Sequence, residues 1–169
     1  MSAVLLERPR ALTRRDDRSG FHSGYTELDD WFQRYAWQNQ KANNASTFVT
    51  TCGDDILGYY ALATSAYARE QAPDSLAKGR PTEIPCILLA RLAVDLRAQG
   101  RGVGAALLRD AIERSYRVSE LVAAAALVVH CQDERAKQFY LHNGDFLQAP
   151  GEGLHLLLPM VSIHRLIHG

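Results

Sequence analysis

The chain has 169 residues, 22% of them charged, and a formal net charge of zero. This length fits one domain, 1-169, with a real hydrophobic core, and the balanced charge argues against a surface coated in positive charge for nucleic acid. Glu7 and Arg8 interrupt the segment in which a signal peptide would be apolar, and the longest apolar run, residues 121–129, is too short to cross a bilayer. We therefore expect a single-domain, soluble, cytoplasmic protein.

The cysteines and the N-terminal arginines have simple interpretations. Cys52, Cys86 and Cys131 lie far apart without a CxxC pair, which predicts neither a zinc site nor a disulfide framework. Five arginines cluster near the start of the chain: Arg8, Arg10, Arg14, Arg15 and Arg18. Because two aspartates lie among them, a solvated surface is favoured over a phosphate-binding one.

The first third of the chain predicts a strand, a helix and a β-hairpin. Residues 3–6 fit a short strand. Residues 26–41 fit a helix with a core-facing stripe of Leu28, Trp31, Phe32 and Tyr35. Strands at 46–52 and 56–63, joined by a turn at 53–55, form the hairpin.

From residue 72 onward, a loop is followed by strands that alternate with helices. Residues 72–85 hold three of the six prolines and predict a loop with at most one short helix. Buried strands at 86–94 and 123–130 flank a helix at 104–118. Asp133 caps a helix that stops at Asn143-Gly144, and strands at 146–148 and 154–160 follow. This order predicts the α/β class with a mixed sheet.

Alternating glycines follow the strand at 86–94 and begin the next helix, in the run Gln99-Gly-Arg-Gly-Val-Gly104. Glycines let the backbone approach a ligand closely, and a helix N-terminus favours anions. Such a loop can bind a pyrophosphate, with Arg101 adding a fixed positive charge.

Two nucleotide-binding motifs fit this loop less well. The pattern Gly100-x-Gly102-x-x-Ala105 matches a dinucleotide fingerprint, but only one more strand–helix pair follows, and Glu120 precedes the next strand. A P-loop is excluded because no Gly-Lys-Ser/Thr follows. The remaining alternative, a tight turn without a ligand, does not need alternating glycines at a helix start.

Leu92-x-Val94 followed by Gln99-x-x-Gly102-x-Gly104 resembles the acetyl-CoA signature of GNAT acetyltransferases. The resemblance implies the GNAT fold, a mixed, mostly antiparallel central sheet flanked by helices. It implies acetyl-CoA as co-substrate, without a metal. Its pantetheine would pair with the backbone of Leu92, Ala93 and Val94. Its pyrophosphate would bind the following loop: Gln99, Gly100, Arg101, Gly102, Val103, Gly104 and Ala105.

Four further segments resemble the acetyltransferase toxins of bacterial toxin–antitoxin pairs, over about residues 20–160. They are Gly-Tyr-Thr-Glu-Leu-Asp-Asp-Trp at 24–31, Gly-Tyr-Tyr-Ala-Leu at 58–62, Arg-Leu-Ala-Val-Asp at 91–95 and Ala-Lys-Gln-Phe-Tyr at 136–140. The resemblance implies acetylation of the α-amine of aminoacyl-tRNA, which stops translation. It also implies a homodimer and a ribbon-helix-helix antitoxin. One departure is Asp145, which separates Gly144 from Phe146 where this branch reads Gly-Phe.

Tyr140 is the catalytic residue that this resemblance implies. A tyrosine, with a pKa of about 10, holds its proton at pH 7 and can protonate a leaving thiolate. The spacing of Ala136, Phe139 and Tyr140 fits a core stripe equally well, and alone favours it; the resemblance favours catalysis. A backbone N–H at Val94 could stabilise the oxyanion.

The strand at 88–94 carries no carboxylate to deprotonate an incoming amine. Neutralising a lysine amine at pH 7 costs about 4–5 kcal/mol, whereas an α-amine costs only about 1 kcal/mol. The sequence therefore favours an α-amine acceptor. His130 fits a ligand site and a core position equally well, and His164 and His168 indicate a frayed tail more than a metal pair.

Two other functions stay open. The first is a GNAT enzyme that acetylates a small amine or a protein N-terminus with the same donor. The second is a catalytically silent acyl-CoA-binding module. Zero net charge slightly favours both, because a tRNA ligand prefers a basic surface.

Overall fold

The computed structural model describes residues 6–169, so the strand expected at 3–6 lies almost entirely outside the described residues. Seven strands form one sheet in the order β1-β2-β3-β4-β5-β7-β6. Their bounds are β1 Arg10–Ala11, β2 Ser46–Cys52, β3 Asp55–Ala68, β4 Glu83–Val94, β5 Ala126–His130, β6 Leu147–Ala149 and β7 Glu152–Pro159. The predicted α/β class, with a mixed and mostly antiparallel sheet, is confirmed.

Within residues 6–169, six α-helices connect or follow these strands. They are α1 Thr26–Arg34, α2 Ala36–Lys41, α3 Asp74–Ala77, α4 Val103–Leu121, α5 Glu134–Asn143 and α6 Met160–His168. The α5 prediction is confirmed with its cap, because the Asp133 side chain accepts a hydrogen bond of 2.8 Å from the Ala136 N–H. No helix among residues 6–169 is long and apolar enough to span a membrane.

The single helix predicted over residues 26–41 is wrong. The chain forms α1 and α2 with a break at Tyr35, whose backbone (φ −120°, ψ −19°) leaves the helical region. Phe32 is fully buried as predicted, but Tyr35 is 46% exposed and does not belong to the core stripe. Ala36, the first residue of α2, is buried in the same core cluster as Phe32.

Other element predictions also need correction, among them the second buried strand, which begins at Ala126 rather than at residue 123. β3 continues five residues beyond the predicted end, and β4 begins at Glu83 rather than at Cys86, which shortens the predicted loop at 72–85. That connection contains a 3₁₀ turn, Arg69–Gln71, and α3. The expected frayed tail is wrong, because α6 is a helix in which Ile163 is 1% exposed.

The chain divides into two compact units. The first contains the residues up to Ala63 together with Ala90–Asp110, and the second contains Thr64–Leu89 together with Ala111–Gly169. The glycine-rich loop at 99–104 therefore belongs to the first unit, and Tyr140 belongs to the second. The single-domain organisation stays a prediction.

In the first unit, α1 and the start of α4 pack on opposite faces of β3. Tyr59 stacks on Phe32 of α1, with ring centroids 4.3 Å apart. On the other face, a Cβ at Gly58 would lie 2.8 Å from a Leu107 methyl and 3.4 Å from Val103. Because successive strand residues point to opposite faces, Gly58 lets α4 approach the sheet while Tyr59 contacts α1.

Candidate functional site

The glycine-rich loop lies between the end of β4 and the start of α4, as the sequence predicts. A 3₁₀ turn, Leu96–Ala98, follows β4. Gly100 (φ +76°) and Gly102 (φ +79°) both adopt the left-handed conformation, and α4 begins at Val103. A Cβ at either glycine would meet no protein atom within 4 Å, so the positive φ, not crowding by the protein, requires glycine here.

The N-terminus of α4 suits an anion. The residue before the helix is Gly102, which has no side chain to cap the first N–H groups, and the first intrahelical bond runs from the Ala106 N–H to the Gly102 carbonyl at 3.1 Å. The N–H groups of the first turn of a helix have no intrahelical acceptor. Together with the helix dipole and the exposed Arg101, this geometry fits the pyrophosphate of acetyl-CoA.

Gln99 positions this loop through its side chain. Its Nε2 donates to the Ser23 carbonyl at 2.8 Å and to the Val94 carbonyl at 2.9 Å. Both amide hydrogens are thereby directed to backbone oxygens, so the side chain ties the loop to the end of β4 and to the segment before α1. The side chain of Gln99 therefore has a positioning role, which the sequence motif alone does not reveal.

Asp95 fixes the turn that precedes the loop. Its buried carboxylate accepts the N–H of His22 at 3.0 Å, the N–H of Arg97 at 2.9 Å and the Arg97 Nε at 2.8 Å. Burial alone would raise the pKa of Asp95, but the hydrogen bonds from Arg97 and His22 outweigh it, and the pKa is lowered. Asp95 is therefore ionised at neutral pH and holds the turn in place.

The β4 strand extends past its ladder with β5. The parallel pairing runs from Cys86↔Ala126 to Leu89↔Val129, whereas β4 itself continues to Val94. The stretch Leu92–Val94 thus lies beyond the paired segment. A strand edge that continues past its neighbour can accept an extended ligand as an additional strand.

Tyr140 is buried on α5 in the second unit. Its ring packs edge-on against Phe139 and Phe146, with centroids 5.1 Å and 5.9 Å away. Burial chiefly raises the pKa of Tyr140, and the nearby Cys131 raises it further. The hydroxyl therefore keeps its proton at neutral pH, which a general acid requires.

The extra residue after α5 does not prevent aromatic packing on Tyr140. A Cβ at Gly144 would lie 2.8 Å from the Phe146 ring, so glycine at this position lets that ring reach Tyr140. The exposed Asp145 lies between them in the chain. This segment therefore accommodates the departure from the Gly-Phe pattern.

Four of the six histidines form two separate pairs, His130 with His155 and His164 with His168. His130, at the end of β5, stacks on His155 of β7 with centroids 4.1 Å apart, and the Tyr67 hydroxyl lies 3.0 Å from His155 Nδ1. Burial and then His155 lower the pKa of His130. His164 Nδ1 lies 2.5 Å from the Tyr116 hydroxyl. No group of three or more metal-ligating side chains occurs among residues 6–169.

Two of the N-terminal arginines, Arg10 and Arg18, make contacts within the protein, and the three cysteines lie at separate positions. Arg10 pairs with Asp16 through two contacts of 2.8 and 2.9 Å, and Arg18 donates to the Phe32 carbonyl at 2.9 Å. The three cysteines are free thiols, and Cys86 and Cys131 are buried. Burial raises the pKa of both buried thiols to about 11, so they are unreactive at neutral pH.

Comparison with known families agrees with this loop and fold. Residues 43–144 match the model of the acetyltransferase (GNAT) domain. Across 159 residues, the chain is 39% identical to the tRNA-acetylating toxin of Mycobacterium tuberculosis, covering 94% of this chain and 95% of that protein. It is 28% identical to the probable toxin TacT of Sinorhizobium fredii, over 90% of each chain.

Solved structures of toxins have the same fold. AtaT complexed with acetyl-methionyl-tRNAfMet superposes with a TM-score of 0.87 at 29% identity, over 96% of this chain and 99% of that one. A tyrosine-to-phenylalanine mutant of KacT gives a TM-score of 0.85 at 27% identity, over 95% and 99% of the two chains. A third structure shows AtaTR bound with AcCoA, with a TM-score of 0.82 at 29% identity, over 96% and 98%.

The fold and the loop at the start of α4 define an acyl-CoA-dependent transferase. More particularly, the chain belongs to the GNAT acetyltransferases, in their branch of tRNA-acetylating toxins.

Proposed function

We propose that this protein transfers the acetyl group of acetyl-CoA to the α-amine of aminoacyl-tRNA and thereby blocks translation in the cytoplasm. The observation that carries the proposal is the 39% identity to a tRNA-acetylating toxin along 94% of the chain. The acetylated amine can no longer attack a peptidyl ester, so the acceptor tRNA is lost to elongation.

We assign acetyl-CoA binding to the first unit. The N–H groups at the start of α4, from Val103 to Ala105, would hold the pyrophosphate, with Gly100 and Gly102 shaping the loop and Arg101 adding charge. The backbone of Leu92, Ala93 and Val94 would pair with the pantetheine arm. When bound, acetyl-CoA supplies an activated thioester.

Tyr140 would act as the general acid. The amine attacks the thioester carbonyl, the oxyanion accepts a hydrogen bond from the Val94 N–H, and the departing sulfur takes the proton of the Tyr140 hydroxyl. The raised pKa of Tyr140 keeps that proton in place until the thiolate develops. The attacking nitrogen loses its surplus proton to solvent as the amide forms, and Tyr140 regains a proton from solvent, which completes the cycle.

An α-amine suits this site better than a lysine side chain. Of the β4 residues from Leu88 to Val94, none is a carboxylate, and Arg91 is the only charged one. At pH 7 an α-amine loses its proton for about 1 kcal/mol, against about 4–5 kcal/mol for a lysine. An aminoacyl ester, whose amine is less basic still, needs no strong base.

Toxin activity also implies a neutralising partner. Related structures show a mutant of AtaT bound to the C-terminus of its antitoxin AtaR and acetyl-CoA, and a KacTA–DNA complex. We infer that this protein is likewise controlled by an antitoxin, of the ribbon-helix-helix type, and that it acts as a homodimer.

Expression of this chain alone in a bacterium should arrest growth within a few doublings, because acetylated aminoacyl-tRNAs cannot support elongation. Pulse labelling with an amino acid should show protein synthesis stopping before RNA synthesis. Growth at the normal rate, with high levels of soluble protein that binds acetyl-CoA, would favour a GNAT enzyme acting on a small amine or a protein N-terminus.

A further inference from the structure

Arg91 is held against an aromatic surface next to the cofactor-binding stretch of β4. Its guanidinium carbon lies 4.4 Å from the ring centroid of Trp31 on α1, and both side chains are half-buried. The Trp31 ring in turn lies parallel to Tyr59, with centroids 6.1 Å apart. A cation on a tryptophan face is stabilised by the ring quadrupole and is fixed in orientation.

Among residues 6–169, no carboxylate forms an ion pair with the Arg91 guanidinium. Two acidic side chains of α1, Asp29 and Glu27, do not pair with Arg91. Asp29 is buried and accepts the Ser23 N–H at 3.0 Å and the Ser23 hydroxyl at 2.6 Å, while Glu27 is exposed and forms no ion pair. A half-buried guanidinium whose N–H groups are not paired with a carboxylate can bind an anionic ligand.

Arg91 is not placed to bind the pyrophosphate of acetyl-CoA. In β4 the side chains of Arg91 and Ala93 point to the α1 face, where Ala93 packs with Phe32 and Tyr59. The phosphate-binding loop instead leads into α4, which packs on the opposite face of β3 at Gly58. Within the first unit, the Arg91 side chain therefore lies on one face of the sheet, and the loop leads to a helix on the other face.

We propose that Arg91, seated on Trp31, binds a phosphodiester at the acceptor end of the tRNA and positions the aminoacyl group for transfer. This inference rests on the proposed function. The planar guanidinium directs two parallel N–H groups at one phosphate, a geometry that lysine cannot reproduce.

Arg91→Gln should weaken binding of charged tRNA about 10- to 100-fold, the usual effect of losing a charge-assisted hydrogen bond pair. The steady-state KM for charged tRNA should rise by the same factor. The slope of log affinity against log salt concentration should fall in magnitude by about 1, which corresponds to one lost phosphate contact. Affinity for acetyl-CoA and the acetylation rate of amino acid methyl esters, which carry no phosphate, should stay at wild-type values.

The matched control is Arg109→Gln, which removes the same charge from the exposed face of α4 in the same unit. It should change tRNA affinity by less than about twofold. If both variants weaken binding equally, the effect is net charge and the contact is refuted. Weaker acetyl-CoA binding by Arg91→Gln would instead assign Arg91 to the cofactor phosphates, which also overturns the proposal.

Direct binding separates this inference from the proposed function. Fluorescence anisotropy with labelled charged tRNA measures binding without any turnover. If the wild type binds this RNA but does not acetylate it, the proposed function is refuted, whereas the affinities of wild type and Arg91→Gln can still be compared. Should Arg91→Gln fail to fold, Arg91→Lys keeps the cation over Trp31 and lacks the planar fork. We expect an affinity between those of wild type and Gln, and wild-type affinity would refute the bidentate contact.

Discussion

Replacing Tyr140 by phenylalanine should slow acetyl transfer about 10²- to 10⁴-fold, the usual contribution of a positioned general acid. The substitution removes one hydroxyl and keeps the ring, so the contacts with Phe139 and Phe146 should survive. The acid acts only on the leaving thiolate, after cofactor binding, so affinity for acetyl-CoA should barely change. Cells that express Tyr140→Phe should grow normally.

Tyr116→Phe is the matched control, because it removes another hydroxyl from the same unit, one that contacts His164. Its turnover should stay near wild type. Near-normal turnover of Tyr140→Phe would show that Tyr140 is only a core residue. A large drop in its melting temperature would show that the hydroxyl makes a structural hydrogen bond, and the catalytic assignment would then need another measurement.

Replacing Gly102 by glutamate should abolish acetyl-CoA binding. The new carboxylate would lie at the N-terminus of α4, where we place the pyrophosphate, and like charges about 4 Å apart near a surface repel by about 4 kcal/mol. We therefore expect calorimetry to show affinity reduced by at least about 10²-fold. The protein atoms leave room for a Cβ at this position, so the fold should persist.

A non-glycine residue at φ +79° also costs about 1–2 kcal/mol of backbone strain, which must be separated from the electrostatic effect. Gly79→Glu provides that control, because Gly79 has φ +75°, an equally open Cβ position and lies in the β3–β4 connection. It should lose similar stability and bind acetyl-CoA normally. Unchanged affinity of folded Gly102→Glu would place the pyrophosphate elsewhere.

The elements with strong local determinants can be predicted from the sequence. Alternating glycines before a helix favour a turn with positive φ, because glycine has no Cβ, and Gly100 and Gly102 have it, whereas Gly104 lies within α4. Aspartate is a preferred N-cap residue, so Asp133 predicts a helix start, and its side chain accepts a hydrogen bond from the Ala136 N–H. The strand at 46–52 is bounded by turn residues, and both of its ends agree with the prediction.

Features that depend on tertiary contacts cannot be predicted in this way. No proline or glycine marks the break at Tyr35 in the sequence, and the residues on either side of it, Phe32 and Ala36, are both buried against the sheet residues Val49 and Tyr59. The helix α6 forms because Ile163 occupies a buried site, which its sequence position near the end does not show. The cation–π contact between Arg91 and Trp31 joins residues 60 positions apart in the sequence, so no local sequence pattern predicts it.

The residues of the candidate site divide in the same way. Spacing alone identifies the loop at 99–104, but it does not reveal the hydrogen bonds that give the Gln99 side chain a positioning role. The assignments of Leu92–Val94, the loop and Tyr140 to acetyl-CoA and catalysis stay predictions. They follow from the family resemblance and from chemistry that suits each residue.

Acetyl transfer to charged tRNA tests the proposed activity most directly. The purified protein is incubated with radiolabelled acetyl-CoA and total aminoacylated tRNA, and the RNA is then precipitated and counted. We expect label in the RNA that is released as N-acetyl amino acid by mild alkali, and none when the tRNA is first deacylated. Label that appears only on small amines or protein N-termini, with charged tRNA left unmodified, would contradict the proposed function.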